Sequence, residues 1–61
     1  MPLINIVLTE GRTPETRERL IKEVTDAVAE TLEIPVNRVW VVIDEVRAEN
    51  WGVGGLPLSK K

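Results

Sequence analysis

The 61-residue chain contains no cysteine, histidine, tyrosine or phenylalanine. Without cysteine there are no disulfides, thiol nucleophiles or iron–sulfur ligands. Without histidine there is no Ser-His-Asp triad, no zinc finger and no haem held by its usual ligand. Neither a metal nor a cofactor is expected, and acid/base work falls to carboxylates, lysines or the chain terminus. Long apolar runs are also missing. Val39-Trp40-Val41-Val42-Ile43 is far below the ~20 residues of a membrane span, and no leader of charged, apolar and small residues precedes the first apolar segment. A cytoplasmic location without membrane contact is the expectation. Eight Lys plus Arg stand against ten Asp plus Glu, and the net charge of −2 offers no field to draw in nucleic acid.

What the chain does have is 43% hydrophobic and 30% charged residues, the composition of a folded domain. Residues 1–61 make a single domain, and one this small buries only about 60% of the surface its unfolded form exposes. With disulfides excluded and no good metal ligands, self-association is the remaining supplement to the core.

Pro2-Leu3-Ile4-Asn5-Ile6-Val7-Leu8 is apolar at nearly every position and reads as a strand covered on both faces. Thr13 followed by Pro14 starts a helix, because threonine caps free N–H groups and proline sits where its missing N–H costs nothing. Leu20, Ile21, Val24, Ala27, Val28 and Leu32 then form one apolar stripe, predicting about five helical turns closed by Pro35. A second strand follows from Arg38 to Val46, with Val39, Val41 and Ile43 on one face and Trp40 and Val42 on the other. The tail, with Gly52, Gly54, Gly55 and Pro57, predicts a short hairpin or coil. Strand, helix and strand in this order form an α/β class βαβ unit with parallel strands. One helix covers only one face of such a sheet, so the pattern predicts an oligomer independently of length.

Candidate chemistry concentrates at few positions. Gly52-x-Gly54-Gly55 lacks the strand, helix and lysine of a nucleotide-binding loop and reads as turn chemistry. Asp44 and Glu45 are adjacent in a strand and point to opposite faces, which does not make a paired acid/base site. Arg12 lies beside Gly11 at the carboxyl end of the first strand, where parallel sheets place ligands; it is suited to a bidentate carboxylate contact, or to pairing with Glu10 or Glu15. Trp40 reads as core packing, and Trp51 as a pocket wall or subunit contact. Pro2 follows Met1, and removal of that methionine exposes a secondary amine at the head of a buried strand. Burial and nearby guanidinium groups disfavour its charged form, which makes it a usable general base.

Pro2 opening a strand, Glu10-Gly11-Arg12, Leu20-Ile21-x-x-Val24 and the late Trp51-Gly52-Val53-Gly54-Gly55 together resemble the 4-oxalocrotonate tautomerase family over essentially the whole chain. The resemblance implies βαβ subunits assembled as homo-oligomers, usually hexamers described as a trimer of dimers. It implies keto–enol isomerisation of a small anionic 2-keto acid or 2-hydroxydienoate such as 2-hydroxymuconate, with no cofactor. Pro2 is then the base, Arg12 the carboxylate anchor, and Trp51 the counterpart of a pocket phenylalanine. There is a departure: the family's second arginine aligns with Trp40. Arg38, two residues earlier on the predicted strand face, is a candidate replacement or a solvated strand-start residue. This departure favours a simpler 2-keto acid, such as an aryl pyruvate. The superfamily's dehalogenase branch, which adds an arginine at Thr9 and a glutamate at Val53, fits less well. A non-catalytic oligomeric binding or scaffold protein with the same fold is the alternative reading.

Overall fold

The computed structural model describes residues 1–61. Strand β1 (Leu3–Thr9) leads into helix α1 (Pro14–Leu32), then strand β2 (Trp40–Val46) and a hairpin of β3 (Gly52–Val53) and β4 (Leu56–Pro57). Single 3-10 turns lie at Val36–Arg38, Ala48–Asn50 and Leu58–Lys60. β1 and β2 pair in parallel, from Leu3 opposite Trp40 to Thr9 opposite Val46. The helix is the crossover that a parallel pair requires.

Local chemistry sets the helix ends. The Thr13 hydroxyl accepts the Thr16 N–H at 3.2 Å, and Pro14 occupies the first turn. At the other end Glu33 turns left-handed, with φ 56°, and its N–H reaches the Ala29 and Glu30 carbonyls. The Ile34 N–H also bonds to Ala29, at 3.0 Å. The helix therefore stops ahead of Pro35, which keeps it from resuming. Thr13→Ala should lower stability by about 1 kcal/mol, read as a lower midpoint in denaturant. An unchanged midpoint would remove the cap from the account.

Ile4, Ile6 and Leu8 of β1 and Val41 and Ile43 of β2 are half-buried on the helix side, alternating with exposed residues. The covering helix face includes Leu20, Val24, Val28 and Ala29. Compared with the stripe read from hydropathy, it is rotated toward Thr25 and Ala29, leaving Ala27 outside. Only Ala29 and Val39 are buried, each 8% exposed.

The opposite sheet face is open. Leu3, Val7, Trp40 and Val42 all face outward, with Leu3 61% and Trp40 54% exposed. Trp40 is thus not core packing in the single chain. Its extent is 43 × 24 × 14 Å and its radius of gyration 14.4 Å. A compact chain of this length has about 10.5 Å. The 4794 Å² of accessible surface likewise exceeds the roughly 4,000 Å² of a monomeric protein of 6.9 kDa. The excess lies partly on this open apolar sheet face.

The hairpin turns on Gly54 and Gly55, at φ 61° and 90°, a left-handed pair that a two-residue loop requires. Its strongest contacts outside itself are those of β4 with the 3-10 turn Ala48–Asn50. No helix is long and apolar enough to cross a membrane.

Candidate active site

Pro2 directly precedes β1 and is half-buried. Its carbonyl accepts the Trp40 N–H at 3.0 Å, the first rung between the two strands. A groove of about 470 Å³ opens beside it, lined by Pro2, Leu3 and Ile4 from the strand and by Ala27, Val28, Thr31 and Leu32 from the helix. The lining is almost wholly apolar.

Arg12 stands at the other end of β1. Gly11 takes φ 125°, which bends the chain out of the strand, and Arg12 immediately precedes the cap residue Thr13. The Arg12 guanidinium donates from Nη1 to the Thr9 carbonyl at 3.0 Å. The expected pairing with Glu10 or Glu15 is not formed; the ion pairs are Arg17–Glu45, Lys22–Asp26 and Arg47–Glu49. Most of the five guanidinium N–H donors thus remain free for an anion, at the positive end of the helix dipole.

Pro2 and Arg12 do not meet within one chain. The Arg12 guanidinium is held at Thr9, seven steps along an extended strand from Pro2, which is about 23 Å. Trp51 is half-buried beyond the far end of β2, where its carbonyl accepts the Leu58 N–H at 2.8 Å. One chain therefore places Pro2 and Trp40 at one end of the sheet, and Arg12 and Trp51 beyond the other.

Comparison with known proteins decides the family. Residues 2–61 match the model of the tautomerase enzymes. The chain belongs to the tautomerase family. This tautomerase is 43% identical over 60 residues to the 2-hydroxymuconate tautomerase of Pseudomonas sp. strain CF600, covering 98% of its own length and 95% of the relative's. It superposes with a TM-score of 0.94 on TomN, a 4-oxalocrotonate tautomerase homologue of the tomaymycin biosynthetic pathway. The two are 41% identical, with 97% of this chain and 91% of TomN covered. A heterohexamer 4-oxalocrotonate tautomerase from Chloroflexus aurantiacus gives a TM-score of 0.93 at 32% identity, with 98% and 97% covered. The chain is accordingly a 4-oxalocrotonate tautomerase-like isomerase, which sets aside the scaffold alternative.

One residue of this tautomerase lies elsewhere than the sequence suggested. Arg38 is not part of β2: it ends the 3-10 turn Val36–Arg38, its N–H bonded to the Pro35 carbonyl at 3.0 Å, and it is exposed. The strand alternation that set it beside Trp40 does not reach it. Trp40 itself opens β2 on the uncovered face, across from Leu3.

Sequence reasoning also missed Arg17 and Glu45. Arg17 Nη1 donates to the Arg12 carbonyl and lies 3.4 Å from Glu45 Oε2. The signal was present in β2, where Glu45 falls in phase with the inward residues Val41 and Ile43. A carboxylate on the helix side of a sheet calls for a cation, and Arg17 in the first turns of α1 supplies it.

Proposed function

We propose that this tautomerase moves a proton between the enol and keto forms of a small 2-keto acid, with the amine of Pro2 as base after removal of Met1. The observation that carries this reading is the placement of Pro2 at the head of an apolar groove. The amine takes the enol hydroxyl proton, the O–H electron pair re-forms the 2-keto group, and the double bond shifts. The distal carbon then takes the proton back from the prolinium. Arg12 binds the substrate carboxylate and Trp51 walls the pocket.

With about 23 Å between them in one chain, Pro2 and Arg12 serve one substrate only when different subunits contribute them. The open sheet face, the excess surface and the heterohexamer relative support a hexameric homo-oligomer. Mixing provides the test. Pro2→Ala and Arg12→Ala subunits, each impaired alone, should regain activity when unfolded together and reassembled, because some sites then receive both native residues. Mixtures no more active than their separate components would reject a shared site.

Trp40 at the position of the family's second arginine removes a charge that suits a second carboxylate. It offers an aromatic surface in exchange. Arg38 stays as a weaker candidate for that charge, since it lies outside the strand. The substrate class favoured is therefore a 2-keto acid with an apolar or aryl end. Phenylenolpyruvate should be ketonised with about tenfold higher kcat/KM than 2-hydroxymuconate, a difference of about 1.4 kcal/mol in transition-state binding. The reverse preference would overturn the assignment. Intact mass of the purified protein checks its precondition: a chain that keeps Met1 has an amide at Pro2 and no base.

A further inference from the structure

We propose that Arg17 and Glu45 form a clamp that positions Arg12, so that Arg17 acts on substrate binding without touching substrate. The proposal rests on Arg12 being the carboxylate anchor.

The loop between β1 and α1 is fixed at its ends. The Glu10 N–H bonds to the Val46 carbonyl at 3.0 Å, and Thr13 is held by its cap and by the Arg17 N–H on its carbonyl at 3.1 Å. Between them the chain passes through Gly11 at φ 125°, a residue with wide conformational freedom. At Arg12 the backbone is caught again, by Arg17 Nη1 on its carbonyl. The same nitrogen faces Glu45 Oε2 at 3.4 Å. Arg17 therefore ties the anchor's own backbone to β2, whose residue Glu45 is in register with Leu8 of β1.

The pair differs from the other two ion pairs of the chain. Its side chains are each 29% exposed, against 73% and 47% for Lys22–Asp26 and 64% and 59% for Arg47–Glu49. Partial shielding strengthens such a contact relative to a fully solvated one. Arg17 also has the Glu45 carboxylate facing it, which offsets its charge and makes it a poorer anion-binding arginine than Arg12, which has no carboxylate partner. The role of Arg17 is to hold the Arg12 backbone while the Arg12 guanidinium stays open on the substrate side.

A mutant cycle on phenylenolpyruvate, with thermal midpoint and assembly mass recorded for each protein, tests the clamp. Arg17→Gln is expected to raise KM about tenfold with kcat within about twofold, the pattern of lost ground-state binding. Arg17→Lys should recover most of this, because both contacts come from one nitrogen and an ammonium offers three donors at one point. Glu45→Gln should show an intermediate rise and carries the test if Arg17→Gln fails to fold. In the Arg12→Ala background, Arg17→Gln should change KM by less than about twofold, since a residue acting through Arg12 has nothing left to position. A wild-type KM in Arg17→Gln, with KM raised in Arg12→Ala, overturns the clamp alone. An equal effect of Arg17→Gln in both backgrounds overturns it too, by assigning Arg17 to general stability. A wild-type KM in Arg12→Ala refutes the anchor and the clamp together.

Discussion

Pro2→Ala should lower kcat for ketonisation of phenylenolpyruvate about 10²- to 10⁴-fold, the usual contribution of a positioned general base, with KM little changed. The loss falls on kcat because, in the proposed mechanism, Pro2 acts on the proton in flight while Arg12 binds the carboxylate. Removing an interaction made only in the transition state lowers kcat and kcat/KM together. An N-terminal alanine keeps an amine but loses the ring, so the residual rate reports how much the fixed secondary amine contributes. The groove reinforces the assignment, with Ile4, Val28 and Leu32 among its lining residues. Wild-type turnover by Pro2→Ala, at unchanged assembly mass, would defeat the role of Pro2 outright.

Val42→Asp is expected to abolish both assembly and activity. Val42 sits on the open face between Trp40 and Asp44 and opposite Asn5, and is 50% exposed in the single chain. If a neighbouring subunit covers that face, the new carboxylate is buried without a partner, at a cost of several kcal/mol. On a surface that stays wet, the same substitution would cost less than about 0.5 kcal/mol. Sedimentation separates the two outcomes widely. The wild type should run as an oligomer and Val42→Asp as a species of 6.9 kDa or an unfolded chain. A Val42→Asp protein that retains the oligomer mass would show that this face is not the interface.

Much of the fold could be read because its punctuation is local. Thr13-Pro14 starts the helix where their chemistry requires, and period-two alternation gave the two sheet faces correctly. The start of β2 was not legible, since Val36–Arg38 form a 3-10 turn held by two backbone bonds, from Arg38 to Pro35 and from Val39 to Val36, a preference that hydropathy does not register. Trp40 stands on the sheet face where alternation set it, but its cover could not be read from one chain. An apolar strand residue is normally covered, and here the cover is absent from the chain itself. The Arg17–Glu45 contact joins residues 28 positions apart, so only the crossover topology brings them together. The separation of Pro2 from Arg12, by contrast, follows from strand rise alone once β1 is assigned.

The rung between the Pro2 carbonyl and the Trp40 N–H has one more consequence. A histidine or glutamate base swings on its own rotatable bonds and has to be held still by further side chains, a demand that a chain with two buried residues is poorly equipped to meet. Proline has no side-chain rotamers to freeze, so its ordering entropy is close to nil. Lacking an N–H, it contributes only its carbonyl to the sheet, and its nitrogen stays outside the ladder. If Pro2 is the base, as proposed, a single backbone hydrogen bond positions it without the side-chain scaffolding that a chain of 61 residues could hardly provide.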